Sequence, residues 1–129
     1  MRWTRRFWMT LAAASGFVAV AAGAFAAHGL ADPTAKELMR TGANYAMAHA
    51  LATLACASLA DVAPRVRFAP ALFLAGSALF SGSLYALAVG APRLVGAITP
   101  FGGLLFLAGW ATWSGPRPAR SSRSRPAPV

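Results

Sequence analysis

Residues 7–27 read FWMTLAAASGFVAVAAGAFAA, a run of 21 positions without an Asp, Glu, Lys or Arg. An α-helix of about 20 apolar residues reaches across a hydrocarbon layer ~30 Å thick. An open sheet cannot make the same crossing, because its edge amides would find no partner in lipid. The stretch therefore decides the fold class: a helix threaded through a membrane. Residues 43–60, 68–91 and 94–113 are likewise free of charge. The reading that follows is all-α, a four-helix transmembrane bundle occupying residues 1–113, with a basic tail at 114–129.

Composition agrees. The chain has 129 residues, enough for one domain. It is 57% hydrophobic and 12% charged, against about 25% charged in an average soluble domain, and its mean hydropathy is +0.54. The net charge of +9 raises the question of nucleic acid, but its placement answers against it. Arg2, Arg5 and Arg6 precede the first span, Arg65 and Arg67 lie between the second and third, and Arg117, Arg120, Arg123 and Arg125 follow the fourth. All of these fall on one side, and only Lys36, Arg40 and Arg93 fall on the other. Basic residues in short segments stay cytoplasmic, so both termini are expected inside. The same arginines would meet anionic headgroups at that face. Trp3, Trp8, Trp110 and Trp113 fall near this boundary, where aromatic residues favour the interface.

A rival reading exists for the N-terminus. A basic start, an apolar core and Ala24-Phe25-Ala26 as a small-x-small site compose a cleavable signal. The 21-residue apolar run is longer than such a core needs, which favours a retained span.

Within the spans, small and polar residues recur at helical spacing. Ala12 and Gly16, then Ala19, Gly23 and Ala27, lie four apart and would let backbones approach closely. Asp32-Pro33 forms a helix start, with Asp as N-cap and Pro at the first helical position. Tyr45, His49, Thr53 and Cys56 share one face of the second span, and Ser77, Ser81 and Tyr85 share one face of the third. Gly76 and Gly82 add thin points. Cys56 reads as a small packing residue, since one thiol has no intramolecular partner. Pro92-Arg93 is a tight turn that makes the third and fourth spans antiparallel neighbours. Pro100, inside the fourth span, predicts a kink near 96–100, with Thr99 bonding the freed carbonyl. The Pro/Arg/Ser tail is too polar to order itself.

Several segments together resemble the YgdD-type small inner-membrane proteins of the domain-of-unknown-function 423 family. These are Gly23-Ala24-Phe25-Ala26-Ala27-His28-Gly29-Leu30, Tyr45 with His49-Ala50-Leu51-Ala52, Phe80-Ser81-Gly82-Ser83-Leu84-Tyr85, and Gly96-Ala97-Ile98-Thr99-Pro100-Phe101-Gly102-Gly103 followed by Gly109-Trp110. The match runs in order over roughly residues 7 to 113. Ala26 departs from the family's usual Gly, and Ala46 from its usual Gln. The resemblance implies a multi-pass protein of the bacterial inner (plasma) membrane with no established activity. It also implies that span one is retained, because the first motif straddles the cleavage site.

The topology places His28, Tyr45, His49, Ser81, Tyr85 and Thr99 toward the outer half of the membrane, as one candidate polar cluster. Polar side chains in spans are functional candidates by default, and they also serve as interhelical hydrogen bonds. Two histidines without carboxylates fall short of the three or four ligands of a metal site. No intramembrane acid exists to complete a catalytic triad or to couple protons to export, and no phosphate-binding fingerprint is present. The expectation is a non-enzymatic membrane protein without a cofactor, interacting with itself or with a membrane partner. A small transporter or channel using the polar cluster is the alternative.

Overall fold

The computed structural model describes residues 4–114. The tail expected at 114–129, apart from its first residue, lies outside them, as do Arg2 and Trp3. The described residues are helical and contain no strand: α1 (Arg5–His28), α2 (Pro33–Leu59), α3 (Ala69–Ala88) and α4 (Thr99–Ala111), with 3-10 segments at Pro64–Arg67 and Arg93–Ala97. Three stretches are long and apolar enough to cross a bilayer: Arg5–His28, Pro64–Ala88 and Arg93–Ala111.

The second predicted span, 43–60, is not among those three. Its helix, α2, begins at Pro33 and carries Lys36, Glu37, Arg40, Asn44, Tyr45, His49 and Thr53. Its position supplies the reason. α1 and α3 both pack on α2, and α4 packs on α3. A helix covered by protein on two sides need not be apolar all round. Buried residues run the length of α2 from Met39 to Ala57, whereas α1 buries only Ala12, Ala19 and Ala26. Many large apolar side chains, such as Phe17, Phe101, Leu104 and Leu107, are left exposed. That surface would be costly in water and is at home in lipid.

Helix ends follow their local chemistry. The Asp32 carboxylate accepts from the Ala35 amide at 2.7 Å, capping α2 with Pro33 in the first turn. α3 stops at Gly90, whose φ of 101° is a left-handed conformation open to glycine. The Ala91 amide then bonds the Ala86 carbonyl at 2.9 Å and the Gly90 amide bonds Leu87 at 3.2 Å, closing a Schellman motif. Pro100 does not kink a long fourth helix. The segment before it is a 3-10 turn, and Pro100 stands in the first turn of α4. There its missing N–H would have had no intrahelical partner anyway.

The α1/α2 seam is made of small residues. Ala12, Gly16, Ala19, Gly23 and Ala26 step alternately by four and three, the 3.5-residue period that keeps a seam facing its neighbour. Ala12, Ala19 and Ala26 are buried. Cβ atoms built on Gly16 and Gly23 would rest 3.9 Å from Ala50 and Ala43. Ala27, expected on this stripe, is exposed, and Ala26 takes its place. At α3/α4 the backbones themselves touch: a Cβ on Gly102 would lie 2.4 Å from the Phe80 amide nitrogen. Gly76 belongs to the same contact, whereas a Cβ on Gly82 would meet nothing. Arg5, at the start of α1, pairs with Asp61, just past α2, so those two chain segments sit at one end of the molecule.

Candidate functional site

His49 sits midway along α2, sixteen residues or about 24 Å from Pro33. Its side chain is buried between α3 and α4. The imidazole lies flat on Phe106, with ring centroids 3.5 Å apart and planes within 7°. Phe73 and Trp110 close the sides at 5.2 and 6.1 Å. Tyr45, one turn earlier, stacks at 6.2 Å. Phe73, Phe106 and Cys56 form the buried core below; Cys56 is fully enclosed, as a packing residue should be.

Both imidazole nitrogens are used. Nδ1 lies 2.7 Å from the Tyr45 carbonyl oxygen, and the Trp110 indole N–H donates to Nε2 at 3.1 Å. A carbonyl only accepts and an indole N–H only donates. The ring therefore carries its proton on Nδ1 and its lone pair on Nε2, as the neutral tautomer. The Thr53 hydroxyl donates to the His49 carbonyl at 2.7 Å, continuing the same stripe. A groove of about 460 Å³ runs beside this site between α2 and α4. His49 lines it with both ring nitrogens already bonded.

The six residues expected in one cluster divide into smaller groups: Tyr45 with His49, Ser81 with Tyr85, and Thr99 and His28 each apart from these. Ser81 donates to the Gly42 carbonyl at 2.7 Å, bridging α3 to α2. Tyr85 lies over Gly42, where a Cβ would come within 2.7 Å of its ring. Its hydroxyl is buried and adjoins Ser81. Thr99 shares a 2.6 Å hydrogen bond with Ser83 across α3 and α4, so it does not serve a carbonyl freed by Pro100. His28 is exposed at the end of α1, and no hydrogen bond or ring contact joins it to the others. Among the described residues no three His, Cys, Asp or Glu converge.

Sequence reasoning missed the partners of His49. The topology places His49 toward the outer half of the membrane and Trp110 near the cytoplasmic boundary. The helix starts at Pro33 as expected, but the side chains of His49 and Trp110 meet all the same. Phe106 and Trp110, four apart on α4, were the available signal.

Comparison with known proteins gives a consistent set of relatives. Residues 22–103 match the family described as "Protein of unknown function (DUF423)". A "UPF0382 membrane protein" of Haemophilus influenzae is 48% identical over 107 residues, covering 80% of this chain and 86% of the relative. The "UPF0382 inner membrane protein YgdD" of Escherichia coli K12 is 45% identical over 113 residues, covering 84% and 86%. A "UPF0382 membrane protein" of Schizosaccharomyces pombe is 40% identical over 111 residues, covering 79% and 93%. No solved structure matches significantly.

Proposed function

This chain belongs to the DUF423 family and is an inner-membrane protein with several helices able to span the bilayer, and from that premise we propose that it acts without catalysis, as a four-span membrane protein whose polar side chains hold its helices together and whose work is done through contacts with lipid or a membrane partner. One observation carries the reading. The most deeply set titratable ring, His49, spends Nδ1 on its own helix and Nε2 on Trp110 of α4, leaving no lone pair or N–H for a substrate. Ser81 and Ser83–Thr99 are spent in the same way between helices. The transporter alternative relied on one outer cluster of polar groups, and their division into separate pairs weakens it.

Four spans with both ends cytoplasmic complete the proposal. The pairing of Arg5 with Asp61 supports it, because the start of α1 then shares an end with Arg65 and Arg67, as the bias of basic residues toward the cytoplasm requires. α2 would cross despite its polar residues because protein, not lipid, covers them.

Reporter fusions test the topology: an alkaline phosphatase at either terminus should stay inactive and a cytoplasmic fluorescent reporter should be active. Proteoliposomes test the role. Leakage of a panel of small cations, anions and sugars should equal that of protein-free vesicles. A flux that His49→Ala abolishes would reject the structural reading in favour of transport.

A further inference from the structure

The polar residues of α2 are not all covered by their own chain. His49 and Thr53 are buried, but Asn44 is exposed, and no hydrogen bond joins its amide to another described residue. Its depth makes this costly. The neighbouring Ala43 packs against Gly23 of α1, five residues before that helix ends at His28. Gly42 is bonded by Ser81 of α3, seven residues before that helix ends at Ala88. At about 1.5 Å per residue, Asn44 lies roughly 7–10 Å inside the helix ends, among lipid tails that offer no hydrogen bond. An Asn side chain is too short to snorkel to the headgroups as Lys and Arg do. Thr10 and Ser58 are exposed as well, but their hydroxyls bond carbonyls of their own helices.

Asn44 belongs to a line. Asn44, Ala48, Leu51, Ala55 and Ser58 are all exposed and step by four and three, the 3.5-residue period of a helix-pairing seam. The other sides of α2 are occupied: Ala43 and Ala50 face α1, Gly42 meets α3 and His49 reaches α4. Ala48, Ala55 and Ser58 are small enough to let another backbone come close. Symmetry and charge identify that backbone. Copies of this chain inserted in one orientation are related by a two-fold axis along the membrane normal, so each residue on the line meets its own counterpart at the same depth. An amide carries both donors and an acceptor, so two Asn44 side chains satisfy each other. Nearer the helix start, the exposed Glu37 stands one heptad before Asn44 and Arg40 stands on the flank of the line. Their pairing within one chain is loose, at 3.7 Å. Helical side chains lean toward the N-terminus, so each Arg40 reaches toward Glu37 of the other copy. We propose that two copies of this chain pair in the membrane along the exposed face of α2, with Asn44 hydrogen-bonded to Asn44 across the two-fold axis. The proposal rests on the four-span reading, which sets α2 across the bilayer, and supplies the partner that reading leaves open. Reporter fusions decide the first, and the stoichiometry of the protein decides the second.

Full-length protein with one fluorophore at its C-terminus would be reconstituted in phospholipid vesicles, and its copies counted by photobleaching across a series of dilutions in lipid. Two-step bleaching should dominate at high density and give way to one step on dilution. Asn44→Leu should shift the midpoint about tenfold toward the monomer, since the interhelical amide bonds are lost. Ala48→Phe, which sets a ring on the seam, should shift it at least as far. Both positions are exposed in the single chain, so the helical content of each variant should match wild type. In a Cys56→Ala background, Ala48→Cys and Ala55→Cys should form disulfide-linked dimers in membranes treated with copper phenanthroline, because like positions on the seam come within the ~7 Å between Cα atoms that a disulfide needs. Phe17→Cys and Leu104→Cys, exposed on α1 and α4, should not. The proposal is overturned if wild-type protein bleaches in one step at every density, if Asn44→Leu and Ala48→Phe pair as tightly as wild type, or if Phe17→Cys or Leu104→Cys crosslinks as readily as Ala48→Cys.

Discussion

Replacing His49 with Ala should cost about 3 kcal/mol. The Trp110 N–H···Nε2 bond contributes about 0.6 kcal/mol on average for a membrane interhelical bond and up to ~1.7 in the best cases. The stack on Phe106 adds about 0.5–1.5 kcal/mol. The remainder is the void left beneath Phe73 and Phe106, where large-to-small core changes cost about 2–5 kcal/mol in soluble hosts and overlap the stacking term. The pairing itself is isolated by a double-mutant cycle with Trp110→Phe, which keeps a large ring and deletes the donor. Alone, Trp110→Phe should cost about 1 kcal/mol, since it orphans Nε2. In the His49→Ala background it should be neutral or stabilising, because the indole N–H has already lost its acceptor in apolar surroundings. Reversible unfolding in mixed dodecyl maltoside and sodium dodecyl sulfate, followed by tryptophan fluorescence or circular dichroism, supplies the four free energies. Strictly additive costs would refute the bond, and a His49→Ala cost below about 0.5 kcal/mol would refute the buried placement. Ring ¹⁵N chemical shifts of wild-type protein provide a direct check: they should report a protonated Nδ1 and an unprotonated Nε2.

Two further outcomes follow from backbone geometry. Gly102→Ala places a methyl 2.4 Å from the Phe80 amide, so α3 and α4 must separate and stability should fall by at least about 2 kcal/mol in the same unfolding assay; Gly82→Ala meets open space and should be neutral or gain up to about 1 kcal/mol of helix propensity. Asp32→Ala removes the cap that holds the Ala35 amide and should cost about 0.5–2 kcal/mol, read out as faster amide exchange in the first turn of α2.

The paired positions at α3 and α4 show why glycines in a membrane span cannot be read alike from sequence. Gly76 and Gly82 look equivalent, six residues apart on one helix. Gly76 faces Phe106 and the Gly102 carbonyl, while Gly82 opens on a groove. Which is which depends on the azimuth at which α4 lands, and no local signal encodes it. Pro100 shows a similar limit: the residue predicts a broken helix, but whether the break is a kink or a start depends on whether the preceding turn stays α-helical.

The sequence by itself determined the environment, the helical class and the family. Each rests on properties carried by single segments: charge-free runs as long as a bilayer is thick, caps such as Asp32-Pro33, and motifs in fixed order. The tertiary structure alone decided which polar atoms are spent and which are spare. His49 and Ser77 are both buried polar residues on membrane helices; one is saturated by Trp110, sixty-one residues away, and the hydroxyl of the other is buried without an acceptor. Hydrogen bonding is a contact property with a reach of about 3 Å, so it is settled only when separate helices dock.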